Sequence, residues 1–265
     1  MHFEFRPVMI MLWTGLLVAS LTGCGAENSD TGVTLPILET TAPGTSPTAS
    51  QVCDNPLYPS TQGATWVYAS TGGPSGAFIY ANSITEVRSD GFTLNTQFAD
   101  QTRTQEWSCQ PDGLVALELG GGSAAGVSMQ DMTSQLKTSE VSGLNLPNEI
   151  SSGMEWQYSL RLQGTIVMPG DPEAPADGVY AVTMREMGRE TVTVPAGTFD
   201  TVKIQSNATV DIVSSFGGSD LPIKFSGTTI TWYAPGVGYV KVVENGDFGG
   251  QVYSATTELQ SYNVP

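Results

Sequence analysis

Beyond position 2 the chain has no histidine. That absence removes Ser-His-Asp and Cys-His catalysis, histidine-ligated zinc, copper or iron, and imidazole proton relays, all of which need a ring nitrogen that binds metal or titrates near neutrality. Basic side chains are also scarce: 10 Lys and Arg face 26 Asp and Glu, for a formal net charge of -16 and a sequence pI near 4.1. Such a balance repels nucleic acid and anionic membrane surfaces, and its plainest use is solubility. The 3 cysteines include no Cys-x-x-Cys pair, so neither a dithiol redox centre nor a zinc knuckle is indicated. Gly120-Gly121-Gly122 lacks the Lys and Ser/Thr of a phosphate cradle and reads as loop.

What is present starts with a leader. Arg6 precedes an apolar run, Val8 to Leu21, whose 14 residues are too few to span a bilayer as a helix. Met9-Ile10-Met11-Leu12-Trp13 is apolar all round and uncapped, which argues against an amphipathic core helix. Glu4 is unusual in such a leader, because it opposes the positive charge that sets orientation. The run closes on Leu21-Thr22-Gly23-Cys24, which resembles the lipobox of bacterial lipoproteins. The resemblance implies cleavage before Cys24, a diacylglycerol on its thiol, and an extracytoplasmic protein held at a membrane of the cell envelope. Two or more acyl chains suffice for stable anchoring where one does not. An ordinary secretory signal is the alternative.

Residues 1–23 are thus expected to be a signal peptide, 24–52 a tether and 53–265 one domain. From Gly25 to Gln51 the chain has no aromatic and no Lys or Arg, and a flexible chain of this length spans on the order of 30 Å. With Cys24 lipidated, Cys53 and Cys109 remain as a pair. Outside the cytoplasm a bond between them would stabilise the fold by about 4 kcal/mol in the chain-entropy model, two separate buried thiols being the alternative.

After Cys53, short runs of β-branched and aromatic residues alternate with turn residues. Strands are predicted near 65–70, 78–88, 92–99, 103–109, 114–119, 156–168, 179–194, 201–213, 223–234, 237–244 and 251–262. Ser89-Asp90-Gly91, Pro111-Asp112-Gly113, Pro195-Ala196-Gly197, Pro235-Gly236 and Asn245-Gly246 supply turn chemistry between them. Tight turns force antiparallel neighbours, so the fold class is all-β. Val202, Ile204, Val210 and Ile212 alternate with Lys203, Gln205 and Asp211, giving one buried and one wet face. Met129, Met132 and Leu136, ahead of Lys137, recur at helical spacing and permit one short helix within 123–141.

Gly63-Ala-Thr-Trp66-Val-Tyr68 recurs in form as Gly153-Met-Glu-Trp156-Gln-Tyr158. Downstream, Trp107 to Val115 parallels Trp232 to Val240, each an aromatic strand end, a proline-glycine hairpin and an apolar strand. The pattern suggests duplication over 58–145 and 148–262, or else coincidence among aromatic strands. Trp and Tyr two apart face one side of a strand, so Trp66, Tyr68, Trp156 and Tyr158 are candidate ligand-binding rings as well as candidate core.

Thr191-Val-Thr-Val-Pro195-Ala-Gly197-Thr-Phe199-Asp200, followed by Trp232-Tyr-Ala-Pro235-Gly-Val-Gly238, resembles uncharacterised exported bacterial β-proteins. That resemblance implies a curved antiparallel sheet wrapped as an incomplete barrel, similar at fold level to periplasmic lipoprotein carriers. It assigns no catalytic residue. The acidic insert containing Asp171, Glu173 and Asp177 has no counterpart there and offers weak calcium candidates at most, its spacing matching no known loop. Asn207-Ala208-Thr209 fits a glycosylation acceptor but reads better as a polar strand face.

Three functions fit. The first, and preferred, is a non-catalytic envelope scaffold or interaction module without cofactor. The second is a carrier or binder of a lipid or acyl chain in the half-barrel, and the third a hydrolase built on paired carboxylates.

Overall fold

The computed structural model describes residues 53–120, 135–167, 172–216, 219–248 and 250–265. The leader, Cys24, the tether, Met129, Met132 and Asp171 lie outside the described residues. The chain forms thirteen strands: β1 (Thr65–Gly72), β2 (Phe78–Val87), β3 (Gly91–Gln97), β4 (Thr102–Gln110), β5 (Gly113–Ala116), β6 (Leu136–Gly143), β7 (Leu146–Pro147), β8 (Glu155–Ile166), β9 (Ala174–Val194), β10 (Gly197–Phe216), β11 (Ser219–Ala234), β12 (Gly238–Phe248) and β13 (Gln251–Asn263).

All belong to one antiparallel sheet in the order β6-β8-β9-β10-β11-β12-β13-β1-β2-β3-β4-β5-β7. Two meanders, β1 to β5 and β8 to β13, account for most of it, and each is led by one of the two Gly-x-x-Trp-x-Tyr strands. They are zipped together by β1 and β13, from Thr65 opposite Asn263 to Gly72 opposite Ala255. Period-two alternation sets the faces: Trp66, Tyr68 and Ser70 of β1, Leu160 and Leu162 of β8, and Val202, Ile204, Val210 and Ile212 of β10 are all buried.

The sheet is curved and its ladder does not close. Its edge strands β6 and β7 nonetheless follow one another in the chain, with Leu144 and Asn145 between them. Three residue steps reach at most about 11 Å, so the two edges are brought side by side. One large core fills the curl, from Trp66 and Phe92 to Leu160 and Leu259. A satellite cluster of Ile166, Ala176, Val210 and Ile212 fills the far end of the long hairpins.

Two expectations are corrected. Leu136 and Lys137, expected to close a short helix, begin strand β6, and no α-helix occurs among the described residues. Pairing with β8, from Leu136 opposite Gly164 to Gly143 opposite Tyr158, outweighs local propensity there. A bulge between Thr138 and Glu140 flips the alternation, so Leu136 and Val141, an odd number apart, both pack on the core. Asn245-Gly246, expected to make a turn, lies within β12, opposite Thr228 and Gly227 of β11. Gly246 is there for close approach: a Cβ would sit 2.7 Å from the Tyr253 ring that covers it.

Candidate functional site

The site is built from the strand-leading rings outward. On β1, Trp66 is 1% exposed, and its indole Nε1 donates to the Val237 carbonyl at 2.6 Å. Two residues on, the Tyr68 hydroxyl donates to the Tyr239 carbonyl at 3.0 Å. On β8 the same pair of side chains repeats the arrangement, Trp156 Nε1 donating to Asn145 O at 3.3 Å and Tyr158 OH to Ala116 O at 2.6 Å. A buried Trp or Tyr needs a partner for its polar tip, and each of the four has a main-chain carbonyl. Ring stacking adds to the first set: Tyr68 lies 4.4 Å from Tyr239 and 5.1 Å from Tyr80, centroid to centroid.

The β8 pair reaches across the seam between the two edges of the sheet. Asn145 is its hub: its N–H donates to Leu114 O at 2.9 Å and its Oδ1 accepts from Ala116 N at 2.7 Å, while its carbonyl takes the Trp156 indole. Side chains therefore join what the ladder leaves open.

One end of the curl is stopped by residues 53–58. Cys53 and Cys109 are bonded, with Cα atoms 5.0 Å apart. Buried Asn55 accepts from Leu57 N and Tyr58 N through Oδ1, and its Nδ2 donates to Leu146 O, Pro147 O and Asn148 Oδ1. This fixes Tyr58, whose ring stacks on Trp66, Phe92 and Trp107 at 5.7 to 6.2 Å.

Inside the curl lies a cavity of about 280 Å³. Register explains its lining: Met184, Ser206, Thr229 and Glu244 stand opposite one another across β9, β10, β11 and β12. The bulge at Trp232/Tyr233 lets both Tyr239 and Val242 face inward although they are three residues apart. Leu94, Ala116, Leu146 and Val182 supply apolar wall; Tyr58, Tyr80, Tyr158, Tyr180, Tyr233 and Tyr239 supply rings. Tyr239 OH accepts from Asn82 Nδ2 at 3.0 Å and lies 3.2 Å from Tyr80 OH, while Thr96 donates to Asn82 Oδ1 at 2.9 Å.

The tyrosines are hard to ionise. Burial pushes Tyr180 and Tyr233 up to about 12, with the Glu244 carboxylate adding to the rise at Tyr180. Burial likewise raises Tyr68, Tyr80 and Tyr239 well above the usual phenol range. Their hydroxyls are thus fixed neutral hydrogen-bonding groups. Glu244, 4% exposed, is the single carboxylate among the described lining residues.

Of the four rings singled out in the sequence, Tyr158 borders the cavity, whereas Trp66, Tyr68 and Trp156 stand behind its wall. The insert carboxylates do not converge: Asp177 takes hydrogen bonds from Arg161 and Gln163, and Glu173 from Thr165. Hydrogen bonding from Gln163 holds Asp177 below the usual carboxylate range. No group of three His, Cys, Asp or Glu capable of holding a metal occurs among the described residues. The other buried carboxylate, Glu186, is engaged by the Gly153 and Gly188 amides. Sequence reasoning missed Asn55, Tyr58, Asn145, Tyr239 and Glu244; only Asn55-Pro56, a turn-initiating dipeptide, left a signal.

A family model described as DUF3108-like matches residues 102–259, from β4 into β13. Among solved structures, an exported protein with a YmcC-like fold from Bacteroides fragilis, so described, aligns with a TM-score of 0.50 at 16% identity, over 80% of this chain and 100% of that one. A protein described as a lipoprotein from Parabacteroides distasonis aligns with a TM-score of 0.45 at 18% identity, over 80% and 99%. No curated protein matches. With more than half of its length matched, the chain belongs to the DUF3108-like family.

Proposed function

We propose that this member of the DUF3108-like family is a non-catalytic, exported binding protein, lipid-anchored through Cys24, that holds a small amphipathic organic molecule inside its curved sheet. The observation that supports binding is the cavity. At about 280 Å³ it lies near the lower bound of ligand sites and has room for about nine waters. By that measure it is too small for a complete two-chain lipid, which narrows the carrier reading to a small molecule or part of one. Its wall pairs apolar side chains with fixed hydroxyl and amide groups, the composition that orients a ligand without reacting with it. The leader ending at Leu21-Thr22-Gly23-Cys24 supports export and anchoring.

A surface-acting scaffold is the second reading. What favours it is that Trp66, Tyr68 and Trp156 are packed and have their polar tips bonded, so they behave as framework. A carboxylate hydrolase has less support, since Glu244 faces no second acid among the described lining residues.

Native mass spectrometry of the full chain purified from a membrane fraction tests the binding reading. The expected result is a small-molecule mass increment that denaturation releases and that Ala208→Trp, which fills the cavity, abolishes. A bare polypeptide from both proteins would leave the scaffold reading in its place.

A further inference from the structure

The lining of the cavity is one-sided in charge. Its formal charge is the Glu244 carboxylate, and no Lys or Arg stands among the described lining residues. Tyr58, Tyr80, Tyr180, Tyr233 and Tyr239 present a nearly continuous set of rings around the same space. Ring faces are electron-rich, so an array of them attracts a cation, most strongly where water is excluded. A buried carboxylate does the same, because its attraction for an opposite charge grows as the dielectric falls. The two kinds of group are close: Glu244 makes ionisation of both Tyr80 and Tyr180 harder by repulsion. Thr229 stands opposite Glu244, and Ser206 follows in the same row, adding hydroxyl oxygens that accept hydrogen bonds from an N–H donor. Across the cavity Leu94, Ala116, Leu146 and Val182 are apolar.

We infer that the cavity selects an organic ammonium cation with a short apolar body, its charged nitrogen seated between the Glu244 carboxylate and the tyrosine rings and its hydrocarbon against Leu94, Leu146 and Val182. This rests on the binding function proposed above and adds the chemical class of the ligand. An anionic molecule of the same size meets repulsion from Glu244, and a neutral one gains the apolar contacts alone.

The test uses three probes of one length, hexylammonium, 1-hexanol and hexanoate, titrated into the full chain in detergent by calorimetry at neutral pH. Hexylammonium is expected to bind at least about ten-fold more tightly than 1-hexanol, with hexanoate weakest. Glu244→Gln should lower hexylammonium affinity about ten-fold and leave 1-hexanol unchanged. If 1-hexanol or hexanoate binds as tightly as hexylammonium, the ammonium assignment fails while the binding function stands. If none of the three binds and native mass spectrometry yields a bare polypeptide, both fail. The comparison among probes is made on the unaltered protein, so it decides the matter even where Glu244→Gln does not fold.

Discussion

The hydroxyl of Tyr158 donates a 2.6 Å hydrogen bond to the carbonyl of Ala116, linking strands β8 and β5, which stand one place in from the two opposite edges of the sheet. A main-chain ladder would require a further strand or a tighter curl at this seam. Here a phenol, an indole and one asparagine bridge it, and they do so at the wall of the cavity.

Tyr158→Phe removes that link while keeping the ring. The Ala116 carbonyl loses a buried donor, so stability should drop by about 1 to 2 kcal/mol. Urea denaturation followed by tryptophan fluorescence measures it. An unchanged midpoint would mean that the seam is held by Asn145 and Trp156 without this bond.

The Cys53–Cys109 bond closes a loop of sequence separation 56 and holds the segment that carries Asn55 and Tyr58. Replacing both cysteines by alanine should lower stability by about 4 kcal/mol in the chain-entropy model. The same denaturation experiment checks this, and a loss below about 1 kcal/mol would show that Asn55 alone secures the segment.

Two glycines with similar backbone angles separate strain from crowding. Gly143 has φ +77°, and a Cβ there would lie 2.1 Å from the Gln157 carbonyl oxygen; Gly153 has φ +73° with nothing within 4 Å. Gly153→Ala should cost about 1 kcal/mol for left-handed backbone alone. Gly143→Ala should cost clearly more, because main-chain atoms have to move at the point where the chain crosses between edges. Thermal melts of the two variants settle the order.

Alkaline titration probes the buried phenols. Tyr180 and Tyr233 rise to about 12 from the usual value near 10.0. Between those values the unfolded chain has released protons that the folded one retains, so their contribution is complete below about pH 10 and is lost as pH climbs through 12. Phenolate absorbance should therefore appear together with loss of the β-sheet circular dichroism signal. Ionisation well before unfolding would place these hydroxyls in water.

Much of this architecture is legible in the chain. The eleven expected strands coincide with β1 to β5 and β8 to β13, because Pro-Gly turns and β-branched alternation act locally and need no partner to be recognised. β6 was hidden because its main-chain partner, β8, lies some twenty residues on, and its bulge erases the period of two. Asn245-Gly246 misleads for a related reason: the glycine is dictated by the Tyr253 ring above it, a relation between strands. The site was least legible of all. Glu244 reads as one acid among 26 until register places it in the row with Met184, Ser206 and Thr229. The tyrosines were visible as residues, but which rings form wall and which form framework depends on bulges that composition does not reveal.

Because Thr65 of β1 pairs with Asn263 of β13, the first strand of the sheet waits for the last. Contacts spanning so much chain are slow to form. A ribosome or a translocation channel delivers β13 after everything else, so through most of synthesis or export the leading meander has an open flank. A chaperone that shields unpaired strands would find its longest-lived target in β1, and truncation before β13 should yield aggregates in place of a shorter folded protein.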